Sequence, residues 1–333
     1  MKQKALVIAL AASLASPAAL AAGEHKVYGK VHVSIDSEEL NVKVDEEGTS
    51  YVKEDRVNVK SNASRFGLKG NLPLTEGLDA IYKLEWQVDV ADESKEKNIS
   101  SRNQYGGLKG GFGSAIAGRH DTPLKMSQGK YDLFNDTFGD IKILMAGENR
   151  ASNMAMYGLP GSLGNFKGYG QWYTSEDSSA SFSDNSNWSF MGAYKADAFY
   201  GALAYNTYGG SEDSSMWRLT GIVPIGSFGI GAMYNSAKPD TGDTQDAWSA
   251  NAYWKVGNGK LKLQYIDSDG QTVGKSAVIE EGGKIVSFGY NHNLGKKTYV
   301  YADYHALEID NPLKNDVSVF SLGFVTKFGG KLM

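Results

Sequence analysis

The stretch YGGLKGGFGSAIAGRHD, residues 105–121, is the part of this 333-residue chain that most invites a chemical reading, because it gathers six glycines and a lysine. A phosphate-cradling loop needs a strand, then G-x-x-x-x-G-K-[ST], then a helix whose first N–H groups meet the phosphates. No Gly-Lys-Ser/Thr occurs here, and Ser114 to Ala117 is a short run stopped by Gly118. The GLKG unit also recurs in RFGLKGNLPL (65–74), again in front of a turn, so the glycines read as turn punctuation. Five histidines (His25, His32, His120, His292 and His305) fall in no catalytic motif, and no metal-ligand spacing is present. Cysteine is absent, which excludes disulfides, thiolate metal sites and thiol nucleophiles together. No catalytic residue, metal or cofactor is expected.

The elements that carry these residues follow a period of two. In VYGKVHVSID, Val27, Gly29, Val31, Val33 and Ile35 alternate with Lys30, His32, Ser34 and Asp36. In LDAIYKLEWQVDV, Ala80, Tyr82, Leu84, Trp86 and Val88 alternate with Lys83, Glu85, Gln87 and Asp89. AWSANAYWKV and LKLQYID repeat the pattern. Such alternation marks strands with one apolar and one wet face. Short turns (71–77, 110–113, 195–198, 224–227, 256–260, 293–297) interleave with longer polar stretches (37–56, 91–101, 174–186, 206–214, 236–246, 268–283, 306–315). One-sided loop length, charges on one strand face, and aromatics at segment ends (Trp172 and Tyr173; Tyr253 and Trp254; Tyr299 and Tyr301) suit a membrane barrel around water.

The N-terminus is consistent with export. Lys2 and Lys4 precede an apolar run, Ala5 to Leu14, and SPAALAA offers cleavage after Ala21, so residues 1–21 are expected to be a signal peptide and 22–333 the barrel domain. The net charge of −4, made two units more acidic by loss of those lysines, argues against nucleic acid as a partner. The strand segments number about 16 (roughly 20 residues each with its connection), a size that leaves an aqueous channel.

YGKVHVSID, SRFGLKG with GLDAIYKLEW, SRNQYGGLKGGFGSAIAGRHDTP, NRASNMAMYGLPG and the terminal FSLGFVTKF, taken in order, resemble the general diffusion porins of Gram-negative outer membranes. The resemblance spans essentially the whole mature chain. It implies an all-β fold: a transmembrane antiparallel β-barrel of 16 strands, with the third external loop folded inward. It also implies a homotrimer in outer-membrane lipid whose three pores pass ions and small hydrophilic solutes. The glycines of 105–118 then serve a tight turn between two strands.

The segment from His120 to about Arg150 is the longest without alternation, as a functional loop would be. By the resemblance its acids face basic side chains on the opposite wall and set up a transverse field at the narrowest point, sorting solutes by charge and size. Arg65, Lys83, Arg102, Arg119 and Arg150 are the basic candidates carried over from the family pattern. Asp132, Asp136 and Asp140 are the acidic ones, with Asp121 and Glu148 nearer the loop ends. A one-residue slip near Gly118 reverses the face that Arg119 sees. Phe328 matches the closing aromatic of the family's assembly signature, and the five residues Gly329 to Met333 extend beyond it as a tail. Two other channel-scale readings stay open on the sequence: a solute-specific channel, and an adhesin or receptor-type barrel.

Overall fold

Glycine in turns and β-branched or aromatic residues between them leave the chain little option but strands. A computed structural model describes residues 23–43, 51–92, 98–174, 186–209, 213–273, 278–311 and 315–332. The expected signal peptide lies outside the described residues. In order, the strands are β1 (Glu24–Lys43), β2 (Tyr51–Ser61), β3 (Arg65–Thr75), β4 (Leu78–Val88), β5 (Ile99–Gly110) and β6 (Gly113–Asp121). After a long loop come β7 (Arg150–Gly158), β8 (Phe166–Thr174), β9 (Ser186–Lys195), β10 (Tyr200–Tyr208), β11 (Ser214–Ile225) and β12 (Phe228–Lys238). The last five are β13 (Gln245–Val256), β14 (Gly259–Ser268), β15 (Gly283–Asn293), β16 (Thr298–Ile309) and β17 (Asp316–Leu332). The one described α-helical turn is α1 (Pro123–Met126).

Each strand from β3 to β17 pairs antiparallel with its chain neighbour, and β17 pairs with β1 over almost its full length, which closes the sheet and leaves the barrel no free seam. β2 and β3 both pair with β1, one above the other: Val33 to Lys43 meet β2, and Glu24 to Lys30 meet β3. They act as one interrupted strand, broken at 62–64 where Ala63 takes φ +52°, so the wall counts 16 strands. Two expectations about chain ends change. Residues 37–43 and 51–56, read as loop, extend the β1–β2 hairpin beyond the rim. The segment Gly329 to Leu332, read as a tail, continues β17 and pairs with His25 to Tyr28. The pairing register explains the latter, since β1 begins early enough to offer these residues partners.

Side chains then sort by phase. Leu203, Leu219, Ile230, Leu263, Phe288 and Leu322 are about half exposed on the outer face, the band that meets lipid. The paired aromatics do not form one girdle. Trp254 stacks on Phe228 outside, with centroids 5.4 Å apart, while its neighbour Tyr253 falls on the inward phase, and Tyr299 and Tyr301 share that inward phase, with Tyr301 buried against His32. Phe328 lies outside and covers Gly29, where an added Cβ would collide with its ring at 2.1 Å.

Residues 122–149, between β6 and β7, fold into the lumen. Leu124, Tyr131, Ile141, Leu144, Met145 and Ala146 are at most 1% exposed, packed on Met216, Met233, Ile266, Ile285 and their neighbours from the inner face of β9–β16. Polar contacts fix the height of the loop: Tyr131 donates to Ser249 (2.9 Å), Asn251 to the Tyr131 carbonyl (2.7 Å), and Gln264 to the Gly139 carbonyl (2.9 Å).

Candidate pore constriction

The inner faces of β1 and β3–β5 present cations at one height. Even residues of β1 point inward, which aims Lys30 at the loop, and Arg65 opens β3 directly opposite Lys30. Both converge on Asp136, at 2.6 Å from Lys30 and 3.0 Å from Arg65. Asp136 has φ +68°, a left-handed backbone that costs a non-glycine residue energy and that the ion pairs help to hold. Burial alone would raise its pKa, but the facing Lys30 and Arg65 hold it down at about 2.

On the next two strands, Glu85 gathers a second group. Arg102 donates to it at 3.0 Å, Tyr28 at 2.8 Å, and Lys83 lies 3.4 Å away. Arg102 also reaches Gln87 at 2.9 Å. At the two ends of the loop, Asp121 pairs with Arg150 at 2.8 Å, and Glu148 pairs with Arg218 at 2.6 Å. The fully buried Arg218 also donates to Asn235 (2.8 Å) and to the Ala146 carbonyl (2.7 Å).

Asp140 and Asp132 shape the loop. Asp140 caps the short 3-10 turn Ile141–Ile143, accepting from the Lys142 N–H at 3.0 Å and from the Asp136 N–H at 2.9 Å. Asp132 accepts from the Phe134 and Ile141 N–H groups at 2.9 and 3.2 Å. Burial, and then the neighbouring Asp140 carboxylate, push the Asp132 carboxyl well above the usual range. Thr122 caps α1 through the Lys125 N–H, with Pro123 at the first helical position.

What remains open is a polar cavity of about 580 Å³ bounded by Asp121, Asp136, Asp140 and Glu148 on the loop side and by Lys60, Arg102, Arg150 and others on the wall. A closed 16-stranded barrel with an inward third loop and a charged waist is the arrangement to which the comparisons speak. The model of the Gram-negative porin family matches residues 5–312. The chain belongs to the Gram-negative porins. Outer membrane porin protein 32 of Delftia acidovorans is 26% identical over 340 residues, covering 90% of this chain and 88% of that protein. The anion-selective porin from Comamonas acidovorans superposes with a TM-score of 0.73 at 20% identity, over 92% of this chain and all of that one. The in-vitro folded trimer form of OmpT of Vibrio cholerae gives 0.62 at 16% identity, over 92% and 100%. The protein is thus an outer-membrane porin, a water-filled channel crossing the membrane by strands.

In this porin the carried-over residues divide. Arg65, Arg102, Arg150, Asp136 and Asp140 come together at the waist, and Lys83 faces the lumen beside them. Arg119 falls outside that set. The unbroken β5–β6 ladder from the 110–113 turn puts it opposite Gln104, itself opposite Leu84, on the phase pointing away from water, where it donates to Ser152. Asp132 also falls outside, since it is turned under the loop as a backbone acceptor. Lys30, Glu85, Lys125 and Arg218 were missed as members of the charged set. The alternation in VYGKVHVSID already faced Lys30 inward; what no sequence period supplies is its height relative to Asp136. Arg218 had no signal at all, because its environment is the underside of a loop 70 residues away in sequence.

Proposed function

We propose that this waist is the selective element of a general diffusion pore. Loop carboxylates, Asp136 foremost with Asp121, Asp140 and Glu148, stand against a wall of Lys30, Arg65, Lys83, Arg102 and Arg150. Ions and small hydrophilic solutes cross the resulting transverse field. The observation that carries this is the convergence of Lys30 and Arg65 on Asp136 at the edge of the polar cavity of about 580 Å³. Charged groups at close quarters sort ions by electrostatics and size without chemistry, and a diffusion role requires no catalytic residue.

The porin works as a homotrimer in outer-membrane lipid, each barrel with its own pore. The OmpT trimer, whose fold this chain shares, supports that assembly. Residues 1–21 serve as the export signal. Single-channel recording in a planar bilayer tests the proposal: conductance is expected in triplet steps, with a reversal potential in a salt gradient that shifts when Arg65 or Asp136 is neutralised. A correctly folded barrel whose reversal potential ignores both substitutions sinks this assignment of the waist.

A further inference from the structure

The waist separates two mouths of opposite charge. On the short-turn side, one register line runs Lys331, Lys26, Lys69, Lys83 across β17, β1, β3 and β4, each residue directly opposite the next. All four lie on the inward phase: Lys69 stands over the lumenal Tyr28 ring at 5.3 Å, and Lys83 at 5.9 Å. On the far wall Lys255 and Lys260 are again directly opposed, both within 6 Å of the inward Tyr253 ring. Like charges placed directly across a strand pair destabilise the sheet, so the fold maintains this arrangement against its own interest. Glu24 offsets Lys26 and Lys331, and Glu85 offsets Lys83. Among the described residues, Lys69, Lys255 and Lys260 make no ion pair.

The long-loop side has the other sign. Asp55, Asp240, Asp243, Glu280, Glu281 and Asp310 are exposed around that rim and make no ion pair among the described residues either. Lys53 and Lys60 there are already engaged by Glu39, Asp36 and Glu38, and the exposed Lys238 and Lys284 offset only part of the acidic excess.

We propose that this porin is an axially bipolar pore that rectifies. The reading rests on the open-channel function above. In an outer-membrane barrel the long loops are external and the short turns periplasmic. Cations therefore collect at the outer mouth and anions at the inner one, and low-dielectric walls focus both fields on the waist. With the external side positive, both ions are driven in from the mouths where they are enriched, and the waist fills with carriers. With the external side negative, both are drawn away and the waist depletes. Screening sets the range: the Debye length is about 10 Å at 0.1 M salt and about 3 Å at 1 M, so the asymmetry belongs to dilute conditions.

The test uses single inserted full-length trimers in symmetric potassium chloride, with currents compared at equal and opposite voltages on the order of 100 mV. Orientation is fixed with Thr241→Cys in the 239–244 loop, the one thiol in an otherwise cysteine-free chain, labelled by a membrane-impermeant reagent from one side. At about 0.1 M the current with the external side positive is expected to exceed its reverse by roughly 1.5-fold or more, the ratio falling to about 1 at 1 M. The triple variant Lys69→Gln, Lys255→Gln, Lys260→Gln brings the dilute-salt ratio toward 1, and Asp240→Asn with Asp243→Asn does so from the other mouth without touching the barrel wall. Conducting trimers with symmetric currents at about 0.1 M overturn the bipolar proposal and leave the porin function standing. Folded trimers that pass no current overturn both.

Discussion

The two walls of this barrel obey the same alternation and end up as different materials. From β1 to β5 the inward phase carries lysines, arginines and glutamate, and it is wet. From β10 to β16 the inward phase carries Met216, Met233, Ile266, Ile285 and Leu307, each at most 3% exposed, and it is dry because residues 122–149 lie on it. A barrel of this width has no core of its own; the loop makes one on the dry side and leaves the charged face open on the other. The selective waist is therefore a product of apolar packing elsewhere, since every charge on the loop is aimed by the face that packs beneath it.

The largest effects should come from the dry side. Replacing Arg218 with methionine leaves the Glu148 carboxylate, only 4% exposed, with Gln128 at 2.9 Å and Lys125 at 3.8 Å as its remaining partners, and the loss of one partner of a buried ion pair costs about 3–5 kcal/mol. The expected readout is a lowered urea midpoint in vesicles together with noisy, enlarged single-channel currents as the loop end lifts. Adding Glu148→Gln to Arg218→Met should recover much of the loss; if it recovers none, the pair is not what pins that end. Leu144→Ala, at a site with no exposed surface, should cost about 2–4 kcal/mol by cavity formation. It should raise conductance more than any single substitution of equal size on the outer face, where side chains meet lipid and leave no void. An equal effect from Leu219→Ala outside would break the comparison between the walls.

Much of the barrel was legible because strands have a local period and turns have a local chemistry. The inward phase of β1, the turn at 110–113 and the loop's limits, 122–149 against an expected 120–150, follow from neighbours in sequence. What was hidden depended on relative height and on irregular pairing. The regular ladder from the 110–113 turn puts Arg119 on the outward phase, whereas the bulge between Leu84 and Trp86 is what sets Arg102 beside Glu85, and no alternation count can show a bulge before the partner strand is known. The apolar inward phase of β10–β16 was equally hidden. Strings such as GALAYN and IGAMY are apolar on both faces, and only the docked loop explains why a lumen would tolerate that. Gly329 to Leu332 read as a tail because their pairing partners are about 300 residues away.

On the wet side, effects should be electrical before they are structural. Asp136→Asn removes the charge shared by Lys30 and Arg65 and leaves both cations facing the pore. Reversal potentials should move toward anions, by an amount that shrinks as salt rises, while stability falls by about 1–3 kcal/mol from the charge-assisted bonds lost. The carboxyl itself provides an acid version of the same experiment. Its folded value near 2 lies below the ordinary 3.8, so its contribution to loop docking is fully present above about pH 4 and is lost as pH falls toward 2. Selectivity set by this pair should hold steady from neutral pH down to about 4 and change only below. A transition centred at pH 5 to 6 would mean that another group governs the waist.

The smallest effect belongs to Arg119, and it is the sharpest test of the register. Were the β5–β6 register slipped by one residue, Arg119 would stand in the lumen, and its neutralisation would move the reversal potential as Arg102→Gln or Arg150→Gln should. On the outward phase, bonded to Ser152 and screened from the pore by the wall, Arg119→Gln should leave ion preference unchanged and alter stability by about 1 kcal/mol or less. The comparison of Arg119→Gln with Arg102→Gln on one bilayer therefore reads the β5–β6 register directly. Equal shifts from both would place Arg119 inside and undo the pairing of β5 with β6 near the loop.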